Sequence, residues 1–178
     1  MIKGVIFDLD QTLVDSSSVE TLRDARQWEA VYKAINQTKI NPGIATLLKF
    51  LLTNNIKIAI VTNSKKEYAK KIVDFHQMPI DIIVSFSDTT FHKPHFEPIL
   101  KALEKMEISA SQCINVGDSD IDITAGKCAK VFSIKIGNAT NSSPDIVVQN
   151  TIQLIDEITK LISKQALNLN VREPEQAY

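Results

Sequence analysis

The sequence is poor in the residues that crosslink a chain or break its regular structure. Its 178 residues include two cysteines, Cys113 and Cys128, and their separation excludes a CxxC pair or a zinc-type spacing. We interpret both as free thiols that pack as small apolar residues, and we predict a reducing, cytoplasmic location. Only 5 glycines and 6 prolines are present, which excludes collagen-like and low-complexity proteins.

The sequence also lacks long apolar runs and an excess of either charge. No run approaches the roughly 18 apolar residues of a membrane-spanning helix, and Asp8 comes before any signal-peptide core could form. We therefore expect neither a membrane span nor export by that route. With 20 basic and 21 acidic residues the net charge is −1, which does not favour a nucleic-acid partner, although a local basic patch remains open.

Short apolar, β-branched runs alternate with longer segments of helical periodicity. The predicted strands are residues 5–7, 57–61, 82–85, 114–116 and 131–134, with a sixth candidate at 146–148. The predicted helices are residues 44–51, 68–76, 97–106, 121–129 and 152–162. This alternation predicts an α/β fold with a doubly wound parallel sheet and helices on both faces. In such sheets ligands bind beyond the carboxyl ends of the strands.

Acidic and polar residues follow three of these strands. Asp8 and Asp10 follow the first strand and Asp118 follows the fourth, while Thr62 and Asn63 follow the second. Neighbouring carboxylates repel unless they share a proton or a cation, and Mg²⁺ prefers such oxygen ligands. Acids at strand ends also act as helix caps and turn formers. Their number at two ends of one sheet edge favours a Mg²⁺ site, formed by Asp8, a nearby backbone carbonyl and Asp118.

Four motifs give the chain a resemblance to the haloacid dehalogenase (HAD) superfamily. Asp8-Leu9-Asp10-Gln11-Thr12 resembles its DxDxT motif, although Gln11 stands where glycine is common. Thr62 resembles the second motif, Lys93 the third, and the segment from Gly117-Asp118 to Asp122 the fourth, GDxxxD. The similarity is to the phosphatases of this superfamily, in the phosphoglycolate phosphatase and β-phosphoglucomutase-like subgroup, with a much reduced cap.

The resemblance implies a mechanism and a set of site residues. Asp8 is the expected nucleophile, which forms an aspartyl-phosphate, and Asp10 the expected general acid and base. Thr62, Asn63 and Lys93 are expected to bind the phosphate, with Thr62 and Lys93 counted as catalytic. The expected Mg²⁺ residues are Asp8, Asp10, Asp118 and Asp122, where Asp122 acts through water or by holding Lys93.

Further expectations concern Thr12, Asp120, Arg23 and Arg26. Thr12 is expected to hydrogen-bond the backbone around Asp8, and Asp120 to lie in a solvent-facing turn. Arg23 and Arg26 could meet an anionic substrate, but arginines three apart on a helix more often form its solvent-exposed face.

Residues 14–41 are the candidate cap insertion, inside a single core domain of residues 1–164 that is followed by a tail at 165–178. The insertion is predicted to form one long helix or a pair, with Ser17 or Ser18 as the N-cap and with Trp28 and Tyr32 as its packing surface. Because it is short, either the site is open to bulky phosphoesters or a second copy of the chain completes the lid.

The expected function is hydrolysis of small phosphorylated metabolites with Mg²⁺ as cofactor. The alternatives are a phosphatase of nucleic-acid ends or phosphoproteins, and a phosphomutase, although a phosphomutase needs a larger cap.

Overall fold

The structure is a computed structural model that describes residues 1–138 and 141–170, with side chains through residue 164. Within these residues the chain forms eight strands: β1 (Gly4–Phe7), β2 (Val14–Asp15), β3 (Lys39–Ile40), β4 (Lys57–Val61), β5 (Ile82–Val84), β6 (Cys113–Gly117), β7 (Phe132–Ile136) and β8 (Ile146–Val148). Six of them form one sheet in the order β5-β4-β1-β6-β7-β8, and every pairing in it is parallel.

Seven helices lie within the same residues: α1 (Ser17–Asp24), α2 (Trp28–Lys33), α3 (Ile44–Thr53), α4 (Lys66–Phe75), α5 (Glu97–Met106), α6 (Asp120–Cys128) and α7 (Thr151–Asn170). Alternate strand residues point to opposite faces of the sheet, so two apolar cores form. One core packs α3, α4 and α7 on one face, and the other packs α5 and α6 on the opposite face. The predicted doubly wound α/β fold is confirmed.

Element boundaries differ from the predictions where a polar residue changes the local pattern. The strand predicted at 131–134 is β7, which continues through Lys135 to Ile136 because the Lys135 ammonium finds partners while the residue is buried. The strand predicted at 82–85 ends at Val84, because Ser85 caps a 3₁₀ turn. Helix α6 begins at Asp120 behind the Ser119 capping box.

Two further predictions concern the C-terminal helix and a cysteine. The helix predicted at 152–162 is α7, which runs from Thr151 through the predicted tail boundary to Asn170. Residues 171–178, the rest of the predicted tail, lie outside the described residues. Cys113 is buried as expected, but Cys128 is exposed on α6, so the apolar interpretation of Cys128 is wrong.

The insertion between β1 and α3 is a helix pair, the second of the two predicted forms. Helices α1 and α2 are separated at Arg26, because its φ of 54° is incompatible with a continuing α-helix. Strands β2 and β3 pair antiparallel at the two ends of the insertion. Helix α1 begins at Ser17 with Ser16 as its N-cap, so the N-cap lies one residue before the predicted Ser17 or Ser18. Trp28 and Tyr32 pack against the core as predicted.

The strand order reverses beside β1, which places its carboxyl end at the centre of the site edge. After β1 the chain adds β4 and β5 on one side, and it then returns to add β6, β7 and β8 on the other. Phe7, the last residue of β1, is aligned with Ile60 of β4 and with Val116 of β6. The residues after these strands therefore meet at one edge. None of the helices in residues 1–138 and 141–170 is long and apolar enough to cross a bilayer.

Candidate active site

A cavity of about 210 Å³ opens at the carboxyl edge of the sheet. All seven residues expected in the site line it, together with side chains from the insertion and from the start of α6. The lining residues are Asp8, Asp10, Gln11, Glu20, Arg23, Thr62, Asn63, Ser64, Lys93, Asp118, Ser119, Ile121 and Asp122. The topology thus brings together residues that are up to 114 positions apart in the sequence.

Lys93 is the buried cation of this cavity. Its ammonium donates to Oδ1 of Asp8 and to Oδ1 of Asp122, both at 2.6 Å, and to the carbonyl oxygen of Val61 at 2.8 Å. Burial alone would lower the pKa of Lys93, but the charges of Asp8 and Asp122 raise it above its usual value. Lys93 is therefore fixed and positively charged beside the end of β1.

Asp8 presents one unpartnered oxygen to the cavity. Its Oδ1 accepts the hydrogen bond from Lys93, whereas Oδ2 has no hydrogen-bond partner among the described residues. Burial raises the pKa of Asp8 to about 8 against the lowering effect of Lys93, and the charges of Asp122 and Asp10 raise it further. A second positive charge in the cavity would relieve this repulsion.

Asp118 is held from both sides by polar contacts. The Thr12 hydroxyl donates to its Oδ1 at 3.2 Å, and the Lys135 ammonium donates to its backbone carbonyl at 2.9 Å. Burial and the charge of Asp122 raise its pKa, while the hydrogen bond from Thr12 lowers it. The expected bond from Thr12 to the backbone around Asp8 is wrong, because this hydroxyl reaches across to the end of β6 instead.

Asp122 is the buried link between α6 and Lys93. One carboxylate oxygen binds Lys93, and the other accepts bonds from the backbone amide and hydroxyl of Ser119. The close approach of α6 to β6 requires a glycine at position 117, where an added Cβ would lie 2.3 Å from the Cβ of Asp122. Steric crowding therefore explains why the first position of the GDxxxD motif is a glycine.

The carboxylates suit a divalent cation. Oxygen atoms of Asp8, Asp118 and Asp122 all lie within 4.8 Å of one another. Three such groups in a partly buried pocket, two of them with raised pKa values, form an oxygen donor set that a hard cation would neutralise.

Asp10 lies under the insertion, surrounded by donors. Its Oδ1 contacts Nη1 of Arg23 and accepts bonds from the hydroxyls of Ser16 and Tyr68, both at 2.7 Å. Its Oδ2 accepts a bond from the hydroxyl of Ser64 at 3.0 Å. Arg23 is half-buried and paired, so its assignment to the wet face of a helix is wrong.

Thr62 and Asn63 shape the rim of the cavity. Thr62 is buried at the end of β4, and its hydroxyl oxygen accepts the backbone amide of Ser64. The Asn63 side chain donates to the backbone carbonyl of Lys93 at 2.9 Å and accepts its backbone amide at 3.1 Å. Asn63 thereby ties the loop after β4 to the Lys93 loop, a contact that the motifs did not predict.

Three further residues were not predicted to take part in the site. Tyr68 was expected only as a residue of the helix predicted at 68–76. The available signal was its hydroxyl, which needs a hydrogen-bond partner when the tyrosine is buried. Lys135 interrupts an apolar strand, which is a comparable signal, and it binds the carbonyl of Asp118 and the carboxylate of Asp120. Asp120 is half-buried and also bonds Ser142, so its solvent-facing assignment is wrong.

These features are those of a hydrolase with a doubly wound, Rossmann-like sheet and an aspartate at the switch point of that sheet. Residues 18–136 match the family model described as haloacid dehalogenase-like hydrolase, and the chain belongs to this family.

Among similar proteins, one from Clostridium perfringens that carries the pyrophosphatase name PpaX is 27% identical, across 92% of this chain and 100% of its own length. The phosphoglycolate phosphatase of Aquifex aeolicus is 37% identical, across 52% of this chain and 44% of its own. A solved structure, the β-phosphoglucomutase of Clostridium difficile, superposes with a TM-score of 0.78 at 23% identity, across 94% of this chain and 100% of that one, and it shows the shared fold.

Coverage differs among these relatives. The chain aligns with the whole of the Clostridium perfringens protein, but it spans about half the length of several phosphoglycolate phosphatases that it matches.

Proposed function

We propose that this protein is a Mg²⁺-dependent phosphatase of small phosphorylated compounds that works through an aspartyl-phosphate on Asp8. The observation that carries the proposal is the pairing of Asp8 with the buried ammonium of Lys93 at 2.6 Å, with the second Asp8 oxygen left unpartnered in the cavity. A carboxylate held in this way is fixed for attack, and the adjacent cation attracts the phosphate.

The first step transfers the phosphoryl group to the enzyme. The unpartnered oxygen of Asp8 attacks phosphorus, and the bond from phosphorus to the leaving oxygen breaks with its electron pair going to that oxygen. Asp10 gives the leaving oxygen a proton. The remaining phosphoryl oxygens are bound by Lys93, by the hydroxyl of Thr62 and by the backbone amide of Asn63.

The second step regenerates the enzyme. Water attacks the phosphorus of the aspartyl-phosphate, Asp10 takes its proton, and inorganic phosphate leaves. General acid and base catalysis of this kind contributes about 10²–10⁴ in rate. We place the exchanged proton on Oδ2 of Asp10, because this oxygen accepts one hydrogen bond, from Ser64, while Oδ1 is surrounded by three donors.

Asp8, Asp118 and a nearby backbone carbonyl would hold the cation, with Asp122 acting through Lys93. When bound, Mg²⁺ would neutralise part of the charge of the incoming phosphate. Asp122 contributes by fixing Lys93, since its oxygens are taken by Lys93 and Ser119.

The names of the relatives support the substrate class. They name pyrophosphate and phosphoglycolate, two small anions, as substrates of similar proteins. A cavity of about 210 Å³ is large enough for the phosphoryl group that is transferred.

The test is a phosphatase assay of the purified chain with and without Mg²⁺. Substrates are p-nitrophenyl phosphate, phosphoglycolate and pyrophosphate. We expect Mg²⁺-dependent release of phosphate that Asp8→Asn abolishes and that Asp24→Asn, a matched change at the exposed end of α1, leaves intact. Equal phosphate release by the Asp8→Asn variant and the unchanged protein would overturn the proposal.

A further inference from the structure

A second cavity of about 190 Å³ lies beside the active-site cavity. It is lined by Arg26, Trp28, Asn63, Lys65 and Phe86, and we call it the side groove. Asn63 lines both cavities, so the groove adjoins the place where the leaving group of a substrate would emerge. No residue of the side groove takes part in the proposed phosphoryl transfer except Asn63.

Aromatic rings form part of the side groove on both the insertion and the core. Trp28 starts α2, and its ring is held 6.1 Å from Tyr68 and 6.3 Å from Tyr32. Phe86 comes from the 3₁₀ turn after β5; it is 51% exposed, and His92 stacks on it at 3.8 Å. A half-exposed ring that stacks on one neighbour can offer its other face to the ring of a ligand.

The side groove is also positively charged. Arg26 and Lys65 line it, and none of its described lining residues is acidic. Within residues 1–138 and 141–164, neither cation forms an ion pair, although the Lys65 ammonium lies 4.9 Å from the Trp28 ring centre. Two unpaired cations beside two aromatic rings match a ligand that combines an aromatic ring with a negative charge.

We propose that the side groove binds the leaving group of the substrate, and that the preferred substrate is a nucleoside carrying two phosphates. One phosphate would be transferred to Asp8, the second would meet Lys65 and Arg26, and the base would stack on Trp28 and Phe86. Any nucleobase can stack on an aromatic side chain, so this contact adds affinity without selecting one base. This inference rests on the proposed phosphatase function and names its substrate class.

The chemistry at phosphorus is the same for both forms of such a nucleotide. The Asp8 carboxylate forms a bond to the transferred phosphorus, and the bond to the leaving oxygen breaks. That oxygen keeps the electron pair and takes a proton from Asp10, giving a nucleoside monophosphate. Water then cleaves the aspartyl-phosphate to inorganic phosphate and returns a proton to Asp10. A 3′,5′-bisphosphate loses an ester phosphate, whereas a 5′-diphosphate loses its terminal phosphate.

Binding is measured first, because the chain has a single tryptophan and it lies in the groove. The Asp8→Asn variant is titrated with adenosine 3′,5′-bisphosphate, ADP and pyrophosphate while Trp28 fluorescence is followed. We expect saturable quenching by at least one of the two nucleotides at concentrations about tenfold lower than any change caused by pyrophosphate. No saturable quenching by either nucleotide would overturn the inference.

Kinetics then test the groove residues. In the unchanged protein we expect kcat/KM for one of the two nucleotides to exceed that for phosphoglycolate by about tenfold or more. Phe86→Ala and Lys65→Gln should shrink this ratio by about tenfold, mainly through the KM of the nucleotide. The matched controls Phe91→Ala and Lys70→Gln change an exposed ring and an exposed lysine outside the groove, and should preserve the ratio.

The two proposals fail in distinguishable ways. If phosphoglycolate, pyrophosphate and p-nitrophenyl phosphate are hydrolysed in an Asp8-dependent manner but the nucleotides are not preferred, only the side-groove inference fails. A nucleotide preference that survives in both groove variants also overturns it. If no phosphoester is hydrolysed, the phosphatase proposal fails. The nucleotide that gives the higher kcat/KM decides between the diphosphate and the bisphosphate.

Discussion

At the scale of single residues, Lys93 connects Asp8, the proposed nucleophile, to the rest of the site. Its ammonium has three acceptors, two of them carboxylates, and its side chain is 3% exposed. A buried charge of this kind stabilises a fold only while its partners are in place, because an unpaired buried charge is costly. Lys93 therefore has both a structural and a chemical consequence.

The Lys93→Met variant tests whether Lys93 contributes more to activity and stability than an ordinary surface lysine does. We expect the variant to lose at least about 100-fold in kcat, since the charge beside Asp8 is gone. Its free energy of unfolding should fall by about 3 kcal/mol, because Asp8 and Asp122 lose their buried partner. Phosphatase assays and urea unfolding measure the two effects. Lys160→Met, which removes an exposed ion-paired lysine of α7, should alter neither; a fully active Lys93→Met variant would contradict the assignment.

Tyr68→Phe tests the donors around Asp10. The change removes the hydroxyl that donates to Asp10 at 2.7 Å and keeps the buried ring. We expect a several-fold fall in kcat with little change in KM, and a loss of about 1 kcal/mol in the free energy of unfolding. Tyr32→Phe is the matched control, because its hydroxyl bonds Glu67 in an exposed contact. Equal effects of the two changes would argue against a role for Tyr68 in positioning Asp10.

At the scale of secondary-structure elements, polar residues decide where elements begin and end. Ser85 and Asp88 form a capping box around the 3₁₀ turn that follows β5, and the Lys66 ammonium lies 2.8 Å from Asp88. Partial burial would raise the pKa of Asp88, but the bonds from Lys66 and from the hydroxyl and amide of Ser85 lower it to about 2. This turn carries Phe86 beside the active site.

The lowered pKa of Asp88 predicts a pH-dependent contribution to stability. A carboxylate with a folded-state pKa below its ordinary value stabilises the fold above the ordinary pKa, and the stabilisation is lost as the pH falls toward 2. We expect Asp88→Asn to reduce the free energy of unfolding by about 1 kcal/mol at neutral pH, after allowance for solvent screening.

Urea unfolding at pH values from 7 down to 3 measures this difference. It should shrink progressively below about pH 4. The matched control Asp81→Asn, at an exposed position just before β5, should show no such trend. A difference that is independent of pH would contradict the role of the Asp88 charge.

Most elements were predictable because their apolar periodicity reflects burial on the sheet. Helix α5 and strand β4 lie where the pattern of apolar residues placed them. The predicted strand stopped before Lys135 because this residue is charged. Lys135 is buried only because its ammonium contacts Asp118 and Asp120, which follow a different strand. The two-residue strands β2 and β3 have no period that a sequence could show.

At the scale of the whole molecule, the site depends on the meeting of distant segments. The seven expected residues could be predicted because their motifs fix their identity and the parallel sheet fixes their common edge. The contact of Arg23 and Tyr68 with Asp10 could not, since it depends on how the insertion packs on α4. A second copy of the chain that completes the lid, and a cytoplasmic location, stay predictions.

Because Asp8 and Asp118 would hold Mg²⁺ in the folded protein, the cation should raise the stability of the whole chain. A ligand present at 100 times its Kd stabilises a folded protein by about 2.7 kcal/mol, which corresponds to about 5 to 10 °C in Tm for a chain of this size. We expect such a shift with Mg²⁺ in thermal unfolding. Asp118→Asn should remove most of it, and Asp74→Asn, an exposed aspartate of α4, should keep it. An equal shift in Asp118→Asn would place the cation elsewhere.

The most direct test of the central claim is to trap the phosphorylated enzyme. The chain is mixed with p-nitrophenyl phosphate and Mg²⁺, quenched in acid during turnover and reduced with borohydride, which converts an aspartyl-phosphate to homoserine. Peptide mass spectrometry then locates the change. We predict homoserine at position 8, dependent on substrate and absent from Asp8→Asn. Turnover without modification of Asp8, or with modification at another residue, would contradict the proposed mechanism.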